Sequence, residues 1–121
     1  MKKYIALFIL LSWPAFAAPG QLADCKTSPQ SITTGGTDQT QLATNNQRTT
    51  VVIENYCSAN SQNINTAESL WINFGAAAAV GTGIELAACG SYVFNTNYPV
   101  QQALHVYAAT TAHQFACKAN Q

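Results

Sequence analysis

The chain has 121 residues, five Lys and Arg against five Asp and Glu, and a formal charge of zero at pH 7. A length of this order bounds it to one modest domain. So few cations exclude the basic surface that releases counterions from nucleic acid, and a polybasic membrane patch as well.

Met1-Lys2-Lys3 is a short positive region, residues 4–13 are an apolar run, and Pro14-Ala15-Phe16-Ala17 places small residues where a signal peptidase reads. Charge, short apolar core and A-x-A site together predict a secretory signal peptide over residues 1–17. The apolar run falls short of the ~20 residues that span a bilayer. Cleavage after Ala17 leaves 121 minus 17, or 104, residues. That product keeps Lys26, Arg48 and Lys118 against Asp24, Asp38, Glu54, Glu68 and Glu85, a formal charge of −2. No second strongly apolar segment follows, so no membrane association is expected after cleavage. The expected location is beyond the inner membrane: periplasmic, extracellular or virion-associated.

Residues 18–47 are polar and poor in large apolar side chains. They read as an extended N-terminal arm with an edge strand near 31–34 or 40–43, Gly35-Gly36 marking a turn. The β-sandwich core is expected over residues 48–121. In 50–56, Val51 and Ile53 share one face and Thr50, Val52, Glu54 and Tyr56 the other. In 69–74, Leu70, Ile72 and Phe74 oppose Trp71 and Asn73. Ile84, Leu86 and Ala88 alternate with Glu85 and Ala87, and Tyr92 and Phe94 flank Val93. Leu104, Val106 and Ala108 alternate with His105 and Tyr107, and Phe115 and Cys117 share a face. Period-two alternation marks strands with one buried face. The Asn-, Ser-, Thr- and Gly-rich segments between them, 58–66 and 95–99 among them, are turn compositions. Short strands separated by such turns predict an all-β sandwich or small barrel.

The stretch "WINFGAAAAVGTGIELAACGSY", residues 71–92, tests for nucleotide chemistry. It has no lysine, which a P-loop requires. Gly81-Thr82-Gly83 leads into an alternating strand rather than the helix a dinucleotide fingerprint opens. The expected structure is strand, loop, strand, tight turn at Cys89-Gly90, strand, with glycines supplying positive φ or close approach.

Catalytic constellations are thin, and no catalytic residue, metal site or cofactor is expected. His105 and His113 read as ordinary surface histidines. Glu54, Glu68 and Glu85 read as solvent-facing strand positions or strand starts rather than paired glycosidase carboxylates. Neither a G-x-S-x-G elbow nor an H-E-x-x-H pair occurs. Cys25, Cys57, Cys89 and Cys117 are an even set spaced about thirty residues apart, which suits disulfides rather than a short-spaced metal site. Spacing alone leaves three connectivities open. If the strands around Trp71 and Tyr107 are neighbours, Trp71, Asn73, His105 and Tyr107 share an outer face. Such a cluster of aromatic and polar groups suits contact with a protein or glycan. The loop from Gly75 to Gly83 is a secondary candidate.

The order "QRTTVVIENY", "LWINFGAAAAVGTGIELAACGSYVF", "ALHVYAATTA" resembles small β-sandwich proteins encoded by tailed phages and prophages. The shared pattern is an Asn-x-Arg-Thr start, an aromatic-x-Asn-Phe-Gly strand end, an apolar-Pro-Gly-Gly-Ser turn and a closing apolar strand. It covers about residues 46–116. The resemblance implies a non-catalytic structural or adhesive module, virion-associated or capsid-decorating, with virion components or further copies as partners. The alternative class is a secreted binder of a glycan or of a partner protein. Two departures, the export signal and Cys89 where the pattern has proline, point away from a capsid assembled in the cytoplasm and towards an exported descendant, or a phage whose structural proteins pass through the inner membrane. In an immunoglobulin-like or jelly-roll-like sandwich of this kind, the strand after Arg48 runs antiparallel to the strand after Gly90, and the first strand lies beside the last. That arrangement predicts Cys57–Cys89 and Cys25–Cys117.

Overall fold

The computed structural model describes residues 21–25, 30–57, 67–95 and 97–120. The expected signal segment 1–17 and the turn 58–66 lie outside the described residues. The strands are β1 (Ala23–Asp24), β2 (Gln30–Ser31), β3 (Gln39–Leu42), β4 (Val51–Asn55), β5 (Leu70–Phe74), β6 (Ile84–Leu86), β7 (Ser91–Phe94), β8 (Leu104–Tyr107) and β9 (Gln114–Ala119). A kinked helical turn, α1 (Asn97–Val100), joins β7 to β8. Every pairing is antiparallel. One sheet runs β1-β9-β4-β7, with β2 also on β9; the other runs β3-β8-β5-β6.

The alternating apolar positions fill the space between the sheets. Val51 and Ile53 from β4 and Phe115 and Cys117 from β9 meet Leu70 and Ile72 from β5 and Leu104 and Val106 from β8. Each is at most 1 % exposed. Burying a side chain of this size stabilises by roughly 1.5–3 kcal/mol. The fold is therefore the all-β sandwich that the alternation predicts.

Both disulfides join the expected partners. β1 lies beside β9 and Cys25 is bonded to Cys117, their Cα atoms 5.4 Å apart. β4 is antiparallel to β7, so the chain leaving β4 at Cys57 meets the chain entering β7 at Cys89, Cα atoms 4.8 Å apart. Two such bonds suit an oxidising compartment. Among the described residues, no helix is long and apolar enough to cross a membrane.

Two expectations need correction. The sandwich is not confined to 48–121: within the expected extended arm, β1, β2 and β3 belong to the sheets and Ile32 and Leu42 lie in the core. Isolated apolar residues in polar sequence give no periodic signal, so the alternation rule passes over them. Edge strand β3, at 39–42, does overlap the second of the two expected positions, and β2, at 30–31, touches the first. The tight turn before β7 falls at Cys89 as expected, and its backbone suits the departure from proline. Cys89 has φ 63°, which a proline ring cannot adopt. The second correction, to His113 and Glu68, belongs to the site below. The loop after β5 does use glycine as expected. Gly83 has φ +85°, and a Cβ there would stand 2.2 Å from the Ile72 carbonyl oxygen.

Candidate functional site

The outer face of the β3-β8-β5-β6 sheet collects the four candidate residues. β5 and β8 are neighbours, with Trp71 opposite Tyr107 and Asn73 opposite His105. Their partners Ile72 and Val106 point into the core, so the period of two turns these four outward. All four are half-buried rather than fully exposed. The register adds further groups. Glu85 on β6 stands opposite Trp71, and Thr40 on β3 stands opposite His105.

Charge on this face is organised around Asp38, which precedes β3. Its Oδ2 lies 2.8 Å from His105 Nδ1, and its Oδ1 accepts the Ala78 N–H at 2.7 Å. One carboxylate thus fastens β8 and the loop between β5 and β6. Asn73 Nδ2 donates to the Ala77 carbonyl at 3.2 Å, holding the same loop from below. Thr82 Oγ1 accepts the Ala79 N–H and donates to its carbonyl, closing the loop tip. Glu85 accepts from Ser69 Oγ at 2.5 Å. Alignment of Asp38 with this face could have been found from the sequence, since it sits two residues before Thr40 on the expected edge strand.

His113 is not a surface histidine and Glu68 is not solvent-facing. The His113 side chain is fully buried and that of Glu68 is 9 % exposed. Asn55, at the end of β4, spends its Nδ2 on the carbonyls of Glu68 and Leu86, both at 2.9 Å. Its Oδ1 is therefore the acceptor for the His113 Nε2–H at 2.7 Å. His113 Nδ1 faces Glu68 Oε2 at 3.2 Å, and Glu68 Oε1 accepts the Thr110 N–H. Burial pushes the His113 imidazole below its ordinary value, while the Glu68 carboxylate opposes that shift. The cluster ties the end of β4, the start of β5 and the turn before β9 together.

Arg48, the chain's one arginine, is likewise internal at 2 % exposure. It donates to the carbonyls of Val100 (3.1 Å), Gln102 (3.3 Å) and Ala43. Burial holds it below its ordinary value. It closes the 42–48 turn, beside an open depression of about 470 Å³, onto the α1 connection. Among the described residues no group of three or more His, Cys, Asp or Glu is placed to hold a metal ion. Comparison of the chain with protein-family models, curated proteins and solved structures found no match in any of the three.

Proposed function

We propose that the protein is an exported, non-catalytic contact module, structural or adhesive, that acts at a virion or cell surface through the outer face carrying Trp71, Asn73, His105 and Tyr107. The observation that carries this reading is the register of β5 on β8. It sets two aromatic side chains directly opposite each other, with an amide opposite an imidazole beside them, on the face turned away from the core. The carboxylates nearby are engaged in construction. Asp38 holds a loop and a histidine, and Glu85 holds Ser69. Strand pattern, export-type N-terminus and disulfides support the same reading.

The same face favours a glycan binder as the second reading, because planar aromatic surface flanked by Glu85 and Asp38 suits a sugar's apolar face and hydroxyls. Co-purification of tagged protein with virions or cell envelopes tests the first reading. Trp71→Ala/Tyr107→Ala should lower recovery several-fold while leaving the circular dichroism unchanged; equal recovery removes this face as the site. Glycan-array binding lost in Trp71→Ala would favour the second reading. A hydrolytic activity abolished by a single Glu→Gln change would overturn both.

A further inference from the structure

Among the described residues the sandwich has several sheet edges, and all but one of these are blunted against pairing with another chain. β1 and β2 are two residues each. β3 carries a register shift between Thr40 and Leu42. β6 is three residues long with Glu85 at its centre. β7, Ser-Tyr-Val-Phe, has no charge, no proline and an unbroken register with β4. Among the described residues no strand pairs its other edge.

The hydrogen-bond phase of β7 follows from one contact. Asn55 N donates to the Gly90 carbonyl, so that pair faces inward across the β4–β7 ladder. In an antiparallel ladder every second pair is bonded, which directs Tyr92 and Phe94 main-chain groups at Ile53 and Val51. The N–H and C=O of Ser91 and Val93 then point away from β4, along the open edge. Side chains there are exposed on both faces of the strand, Tyr92 at 47 % and Val93 at 54 %. The Tyr92 ring lies 4.5 Å from that of Phe94, which itself packs edge-on to Phe74 at 4.8 Å.

We propose that β7 is a self-pairing edge, and that a second copy of this chain joins it antiparallel about a two-fold axis through Tyr92. Ser91 of each copy then stands opposite Val93 of the other. The four outward main-chain groups of one strand meet the same four of its mate, and all are satisfied without a shift of register. Tyr92 faces its own counterpart and prolongs the aromatic row of Phe74 and Phe94 across the axis. No charged residue lies on the strand, so the two-fold arrangement sets no like charges opposite each other. A four-residue ribbon alone covers less than the ~1,200 Å² of a standard interface, so the dimer is weak and concentration-dependent. The pairing is independent of the aromatic face on the other sheet.

Sedimentation velocity of the mature protein from about 10 µM to about 1 mM should show a reversible monomer–dimer equilibrium. Val93→Lys should abolish it with an unchanged melting temperature, since Val93 lies outside the core. Cross-linking tests the register. The four native cysteines are paired, so Tyr92→Cys adds the only free thiol. Across a non-bonded antiparallel pair its Cα would lie ~4.5 Å from its counterpart, within disulfide reach. Mild oxidation should give a covalent dimer with Tyr92→Cys and none with Val93→Cys. A monomer throughout the range would overturn the proposal, as would a dimer insensitive to Val93→Lys. Cross-linking through Val93→Cys instead of Tyr92→Cys would overturn it too. So would a monomer that takes up only an unrelated strand.

Discussion

The molecule contains two histidine–carboxylate pairs of similar geometry in opposite surroundings. His105 and Asp38 meet at 2.8 Å on an open sheet face, with side chains 19 % and 28 % exposed. His113 and Glu68 meet at 3.2 Å with exposures of 0 % and 9 %. The first pair keeps water on one side, and its carboxylate still reaches a loop N–H. The second is nearly closed to solvent, and Asn55 and Glu68 Oε1 are matched to strand and turn groups around the ring. Solvent, more than distance, decides what such a pair is for. The buried one specifies how three segments join, whereas the exposed one trims a surface that can meet a partner.

The largest test of that contrast loosens the buried site from above. Asn55 is followed two residues later by Cys57, which is bonded to Cys89 across a separation of 32. Cys57→Ala/Cys89→Ala should cost about 4 kcal/mol in the chain-entropy account, read as a fall in the denaturation midpoint. His113 should then titrate closer to its ordinary value, because the burial that lowers it is relaxed. An unchanged His113 titration in a folded variant would show that the disulfide does not guard the site.

His113→Ala comes next, at ~2–4 kcal/mol, since it strands the Asn55 Oδ1 acceptor and leaves a cavity in a buried space. Equilibrium unfolding in urea measures it. A loss under 1 kcal/mol would mean that water enters and replaces the ring, erasing the contrast with His105.

Acidification probes the same residue without mutation. The folded-state value of His113 lies below the unfolded one, so near and below pH 6.5 the unfolded chain binds the additional proton. Its contribution is fully present above about 6.5 and is lost as pH falls through the lower folded value. Melting temperature should therefore decline below pH 6.5. The slope should flatten in His113→Asn, compared at matched stability.

Legibility followed the same divide. Val51, Ile53, Leu70, Ile72, Leu104 and Val106 announce themselves by alternation, and fixing what faces inward also fixes what faces outward. That is why Trp71, Asn73, His105 and Tyr107 could be grouped before their strands were known to be neighbours. The disulfides followed from the assumed immunoglobulin-like arrangement, not from the spacing of the cysteines. Asn55, Glu68 and His113 could not be found this way. They lie 13 and 45 residues apart in sequence, and pattern reading assigns polar residues to the surface. Arg48 was missed for the same reason, although it is the Arg of the Asn-x-Arg-Thr start. What makes these residues internal is a set of long-range partners, and a single sequence does not display partners. β1 escaped because a strand of two residues carries no period.

The smallest expected effect lies at the exposed pair, and it separates attraction from fastening. His105→Gln removes the imidazole contact with Asp38 but keeps a polar side chain on β8. Partly solvated pairs of this kind contribute roughly 0–1 kcal/mol, so the melting temperature should move little. Asp38→Ala removes the same pair and also the acceptor for the Ala78 N–H, leaving the 75–83 loop without that tether. Asp38→Asn keeps an oxygen for Ala78 and discards the charge. If the face is a contact surface whose shape matters, Asp38→Ala should weaken envelope or virion association more than His105→Gln does, and Asp38→Asn should restore it. Hydrogen exchange at Ala78 and Ala79 should rise in Asp38→Ala alone. Equal association for Asp38→Ala and Asp38→Asn, both below the parent, would assign the effect to charge. Then the loop would be a bystander, and the two histidine pairs would differ in stability alone.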